Sequence, residues 1–132
     1  MRLPDWEARL RSVIDAWAGE PFVWGERDCA LWAAAAVEAQ TGQDFAAPFR
    51  GRYRTGAGAS RALRLYGAGD LPATMTAALG EPVHPSMAGR GDIVMLDGAA
   101  GVCVGAHSLF LVEGEGMTRI PTLRCDLAWK VV

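Results

Sequence analysis

The residue of this chain best placed for covalent chemistry is Cys29, which follows Asp28 and heads the run Cys29-Ala30-Leu31-Trp32-Ala33-Ala34-Ala35-Ala36. The alanines favour a helix, and Asp28 is a preferred residue for the position just before a first turn. A thiol there feels the positive end of the helix dipole and the unpaired amides of the first turn, and both favour thiolate. That is the placement a cysteine nucleophile needs, with free amides at hand for a developing oxyanion. The same spacing suits plain packing, because Trp32 and Ala33 lie three and four residues further on and would share a buried face with the thiol. Spacing alone leaves both readings open.

A thiol nucleophile also needs a base, and the chain offers two histidines, His84 and His107. His84 lies in the turn-rich loop Val83-His84-Pro85-Ser86-Met87-Ala88-Gly89-Arg90-Gly91, which could fold over the site. His107 lies in a turn between two strand-like runs. Cys29, Cys103 and Cys125 are odd in number and widely spaced, so they read as free thiols rather than a disulfide framework. No two of the five cysteines and histidines are closely spaced, so neither a zinc nor an iron–sulfur site is expected, and no cofactor is implied. Around Tyr53 the basic residues Arg50, Arg52 and Arg54 alternate, a cluster suited to an anion or a partner's acidic face. Local pairing of those arginines is the competing reading. With Trp24 and Asp28 beside Cys29, they complete the expected binding residues.

The elements that would position these groups follow from the patterning. Trp6, Leu10, Val13, Ile14 and Trp17 form one stripe of a helix over residues 5–18. A second helix, over 28–40, follows a loop of aromatics and turn formers. Gly and Pro punctuation from 42 to 60 marks a long loop. Short helices are expected over 60–66, closed by Gly67, and 71–79, opened after Asp70. Strand-like runs follow at 92–96, 101–105, 108–112, 117–121 and 127–132, separated by Gly-containing turns, as in an antiparallel meander. Helices before strands predict an α+β domain with helices packed on a C-terminal sheet. At 132 residues and 51% hydrophobic, the chain suits one domain over 1–132. The charge of −2 and pI near 5.6, with signs interspersed, exclude the basic footprint of a nucleic-acid binder. No apolar run approaches the ~20 residues of a membrane span, and the start Met1-Arg2-Leu3-Pro4-Asp5-Trp6-Glu7 carries charges where a signal peptide is apolar. A soluble chain made in the cytoplasm is expected.

The order of parts resembles the papain-like fold of NlpC-type cell-wall cysteine peptidases: a Cys opening an Ala-rich helix, a long connection, the strand Arg90-Gly91-Asp92-Ile93-Val94-Met95-Leu96, then Gly101-Val102-Cys103-Val104-Gly105. More narrowly, Pro21 to Gly42, the Tyr53 loop, Arg90 to Gly105 and Ala128-Trp129 resemble a small family of unknown function encoded among phage tail genes and related prophages. The resemblance implies Cys29 at the nucleophile position, Asp28 before it, and Asp92 as the strand-opening aspartate. It places Ala99 where the peptidases carry their histidine. Without an imidazole to take the thiol proton and return it to the leaving amine, acyl transfer loses its acid–base partner.

Two functions are therefore expected, in order. The first is a structural or assembly component of a phage tail, at its tip, built on a degenerate peptidase fold and residing in the virion among other tail proteins. The second is an active peptidoglycan-cleaving cysteine endopeptidase or amidase, with Cys29 as nucleophile and His84 as base.

Overall fold

The computed structural model describes residues 1–132 as four helices followed by a five-stranded antiparallel sheet, the α+β arrangement expected. Helix α1, Trp6–Trp17, buries Leu10 and packs Trp6, Val13, Ile14 and Trp17 on the core, while Glu7, Arg9 and Arg11 stay exposed. Helix α2, Cys29–Thr41, buries Leu31, Trp32, Ala33, Ala34, Ala36, Val37 and Gln40, and of its residues only Glu38 is exposed. Small alanine side chains let it lie close between α1 and the sheet. Trp32 is the anchor: its ring lies 5.4 Å from that of Trp17, and its Nε1–H donates to the Leu109 carbonyl at 2.9 Å. A fully buried side chain of this kind stabilises by about 1.5–3 kcal/mol. Gly42, at φ +79°, ends α2 in the left-handed conformation that terminates helices without strain.

Helix α3 runs Gly56–Tyr66 and begins four residues before the expected start. Thr55 caps it by accepting the Gly58 amide, and this cap outweighs the low helix propensity of Gly56 and Gly58, which had read as loop. Helix α4, Leu71–Leu79, starts as expected behind Asp70, whose carboxylate accepts the Ala73 amide at 2.8 Å.

The strands are β1 Ile93–Leu96, β2 Ala99–Cys103, β3 His107–Val112, β4 Gly116–Pro121 and β5 Leu127–Trp129. Their order, β4-β3-β2-β1-β5, corrects the simple meander: β5 crosses back to pair with β1, Ile93 opposite Trp129, instead of lying beside β4. At the β1 edge Trp129 lies on the helix side, where it is fully buried and its Nε1–H donates to the Thr76 hydroxyl at 3.1 Å. Alternation gives the sheet two faces. Ile93, Met95, Ala100, Val102, Leu111 and Trp129 face the helices, while Val94, Cys103, Phe110 and Ala128 form a second cluster on the outer face with Cys125.

Asp92, the strand-opening aspartate, lies away from Cys29 and ties the ends of the chain together. Buried to 1%, it accepts the amides of Val131 at 2.9 Å and Gly89 at 2.8 Å. Lys130 stands 2.6 Å and Arg2 3.4 Å away. No helix is long and apolar enough to cross a membrane.

Candidate functional site

Cys29 lies at the first position of α2, half-buried, in the wall of a cleft of about 410 Å³. Trp24 and Tyr53 line one part of this cleft, Ser60, Leu63 and Arg64 of α3 another, and Asp70 and Gly98 also border it. Gly98 belongs to the two-residue turn between β1 and β2, where Asp97 and Gly98 both take positive φ, 50° and 81°, as a tight hairpin requires.

Behind the thiol lies a polar knot. Asp28 is 1% exposed and caps α2 through its Oδ1, which accepts the Leu31 amide at 3.0 Å. Its Oδ2 accepts the Gly25 amide at 3.0 Å and the Tyr53 hydroxyl at 2.5 Å. The loop carrying Trp24 is closed by paired bonds between Val23 and Arg27, and it lies against the Tyr53 loop. Gly25, at φ +83°, makes that contact possible: a Cβ there would stand 2.2 Å from the Tyr53 carbonyl oxygen. Gly56 leaves room beneath Trp24, whose ring an added Cβ would crowd at 3.2 Å. Trp24 is held edge-on to Phe22, centroids 4.8 Å apart, and donates to Glu113 at 3.2 Å.

The electrostatics differ from what a helix start alone implies. Burial pushes the Cys29 thiol above its ordinary value, the Ala100 amide opposes this, and the Asp28 carboxylate adds to the rise. The dipole of α2 is outweighed first by burial of the sulfur, and the cap that starts the helix adds a negative charge beside it. Burial, then the hydrogen bond to Asp28, raises the Tyr53 phenol well above its usual range. Tyr53 is therefore a donor, not a base. At this site the chain holds a protonated thiol, a protonated phenol and a buried carboxylate already occupied by three donors.

No imidazole joins them. His84 is exposed, its Nδ1 accepts the Ser86 amide at 3.1 Å, and the preceding Val83 packs with the outer cluster, on the sheet face away from Cys29. The structure therefore does not bring the candidate base to the thiol. His107 opens β3 beside the Cys103 end of β2, whereas the thiol meets the other end, at Ala100. Ala99, matched to the peptidase histidine, packs with the outer cluster, so its side chain and the thiol take opposite faces.

The basic cluster is also dispersed. Arg50 makes two bonds to Asp44, at 2.7 and 3.1 Å, Arg52 stacks over the Tyr66 ring at 4.3 Å, and Tyr53 turns inward to Asp28. Arg54 makes no ion pair within the chain. Alternation in the sequence suggested one patch, but loop geometry sends each side chain to a different neighbour. Conversely, Ser60, Arg64 and Asp70 line the cleft without having been singled out for it. Asp70 was visible as a cap, while nothing in the local sequence marks Ser60 or Arg64. Cys103 and Cys125 share the outer cluster and Cys29 does not, so the three thiols never meet, and no group of residues is arranged to hold a metal ion.

Among curated proteins none matches this chain. A family match extends over residues 1–131, nearly the whole fold just described, including the Asp28–Cys29–Tyr53 knot and all five strands. The chain accordingly belongs to the family described as Domain of unknown function (DUF6950).

Proposed function

We propose that this protein is a structural component of a phage tail, at its tip, built on a papain-like framework of the NlpC type that no longer catalyses. The carrying observation is the setting of Cys29. A nucleophilic thiol of that framework needs an imidazole within hydrogen-bond reach, but here the sulfur meets the Ala100 backbone and stays protonated through burial and the Asp28 charge. What remains of the site is a structural joint, with Asp28 fastening the Trp24 loop, the Tyr53 loop and the start of α2 to one another. The tail assignment is supported by the resemblance of Pro21–Gly42, the Tyr53 loop and Arg90–Gly105 to proteins encoded among tail genes.

Both halves are open to test. Incubated with peptidoglycan and with a stem peptide containing D-amino acids, the purified protein should release nothing beyond the background of Cys29→Ala. Cleavage that vanishes in Cys29→Ala would establish the peptidase instead. Mass spectrometry of purified particles from the encoding phage or prophage should detect the chain, and its consistent absence from particles would overturn the tail role.

A further inference from the structure

The two edges of the sheet are finished differently. At the β5 edge, Val83 closes the ladder: its amide donates to the Ala128 carbonyl at 2.7 Å and its carbonyl accepts the Ala128 amide at 3.0 Å. The other edge, β4, pairs only with β3, and no further strand lies beyond its six residues. The register shows which of its groups are free. Thr122 donates to Ala106 at 2.9 Å, so by alternation Ile120, Thr118 and Gly116 bond to β3 while Met117, Arg119 and Pro121 turn their backbone groups outward. Pro121 fits this phase, since the amide hydrogen it lacks would have pointed away from the sheet.

The edge is also electrically polar. Glu113 and Glu115 stand at its beginning, Arg119 and Arg124 at its end, all exposed, and Glu115, Arg119 and Arg124 take part in no ion pair of the chain. We propose that the β4 edge pairs antiparallel with the β4 edge of a second copy, about a two-fold axis at Thr118, to make one continuous sheet. That register sets Met117 opposite Arg119 of the other copy, so the outward amides and carbonyls of these two residues find partners. It brings Glu115, in the turn that leads into β4, diagonally across from Arg119 of the other copy, within reach for opposite charges. Centring the axis on Arg119 instead would set arginine against arginine and Met117 against a proline without a donor. The acidic start of each strand meets the basic end of its mate, which is the reason for naming a second copy as the occupant rather than an unrelated strand. The inference does not depend on the tail role.

Sedimentation of the full-length protein over a wide concentration range should show a reversible monomer–dimer equilibrium that weakens as salt rises. Hydrogen exchange at the Met117 and Arg119 amides should slow with increasing concentration. Glu115→Arg and Arg119→Glu, both at exposed positions, should each raise the dissociation constant about tenfold or more by setting like charges on each other. Mixed in equal amounts they should dimerise again, because every diagonal pair in the mixed dimer is once more of opposite sign. A monomer at every concentration would overturn the proposal and leave the edge to a strand of another protein. So would a dimer that both variants leave intact, or a mixture no better than its parts.

Discussion

At Cys29 two local influences compete. The helix dipole and first-turn amides favour the thiolate, while burial and the neighbouring Asp28 charge favour the thiol, and the second pair prevails. Alkylation by iodoacetamide at pH 8 should therefore be slower at Cys29 than at a free cysteine in a peptide, and its rate should keep climbing with pH after the peptide's has levelled off. Mass mapping of the alkylated sites checks this, and a Cys29 that outpaces the peptide would contradict the account. Tyr53 shows the same principle from the donor side: its hydroxyl donates at 2.5 Å to Asp28, a carboxylate that is 1% exposed and depends on protein donors in place of water.

The start of α2 joins three segments through one carboxylate. Asp28→Ala removes an N-cap worth about 0.5–2 kcal/mol and leaves the Gly25 amide and the Tyr53 hydroxyl without their partner, at a further cost of about 1–3 kcal/mol for each group that stays buried. Thermal or urea unfolding should show a loss of at least about 2 kcal/mol, and Tyr53→Phe a smaller one of about 1 kcal/mol. If Asp28→Ala unfolds like the wild type, the knot contributes little. The position of α2 was legible from Asp28, the alanine run and Gly42, all of them local signals. The start of α3 was not, because Gly56 and Gly58 read as loop until the Thr55 cap and the close approach of Gly56 to Trp24 give those glycines a reason to be there.

For the molecule as a whole, the raised thiol and phenol groups set an alkaline limit. Cys29, Tyr53 and Cys125 all hold their protons more tightly when folded, Cys125 up to about 11, first through burial and then through Cys103. A group whose folded pKa is raised contributes its full stability below the unfolded value and loses it as pH rises through the folded one. Melting temperature should thus hold steady toward pH 9 and fall from there through about 11, first through the cysteines, and Cys125→Ser should soften the early part of the decline. An unchanged melting temperature up to pH 11 would contradict it. The sequence by itself determined the helix-then-strand order, the caps at Asp28 and Asp70, and the thiol at the head of α2, since each is written within a few neighbouring residues. Only the tertiary structure decided that β5 returns to β1, that Arg50, Arg52 and Tyr53 part company, and that both histidines stay away from Cys29. Those outcomes depend on which distant surfaces are buried together, and burial of the Cys29 sulfur, helped by the Asp28 charge beside it, turned a helix start that favours thiolate into one that keeps the thiol.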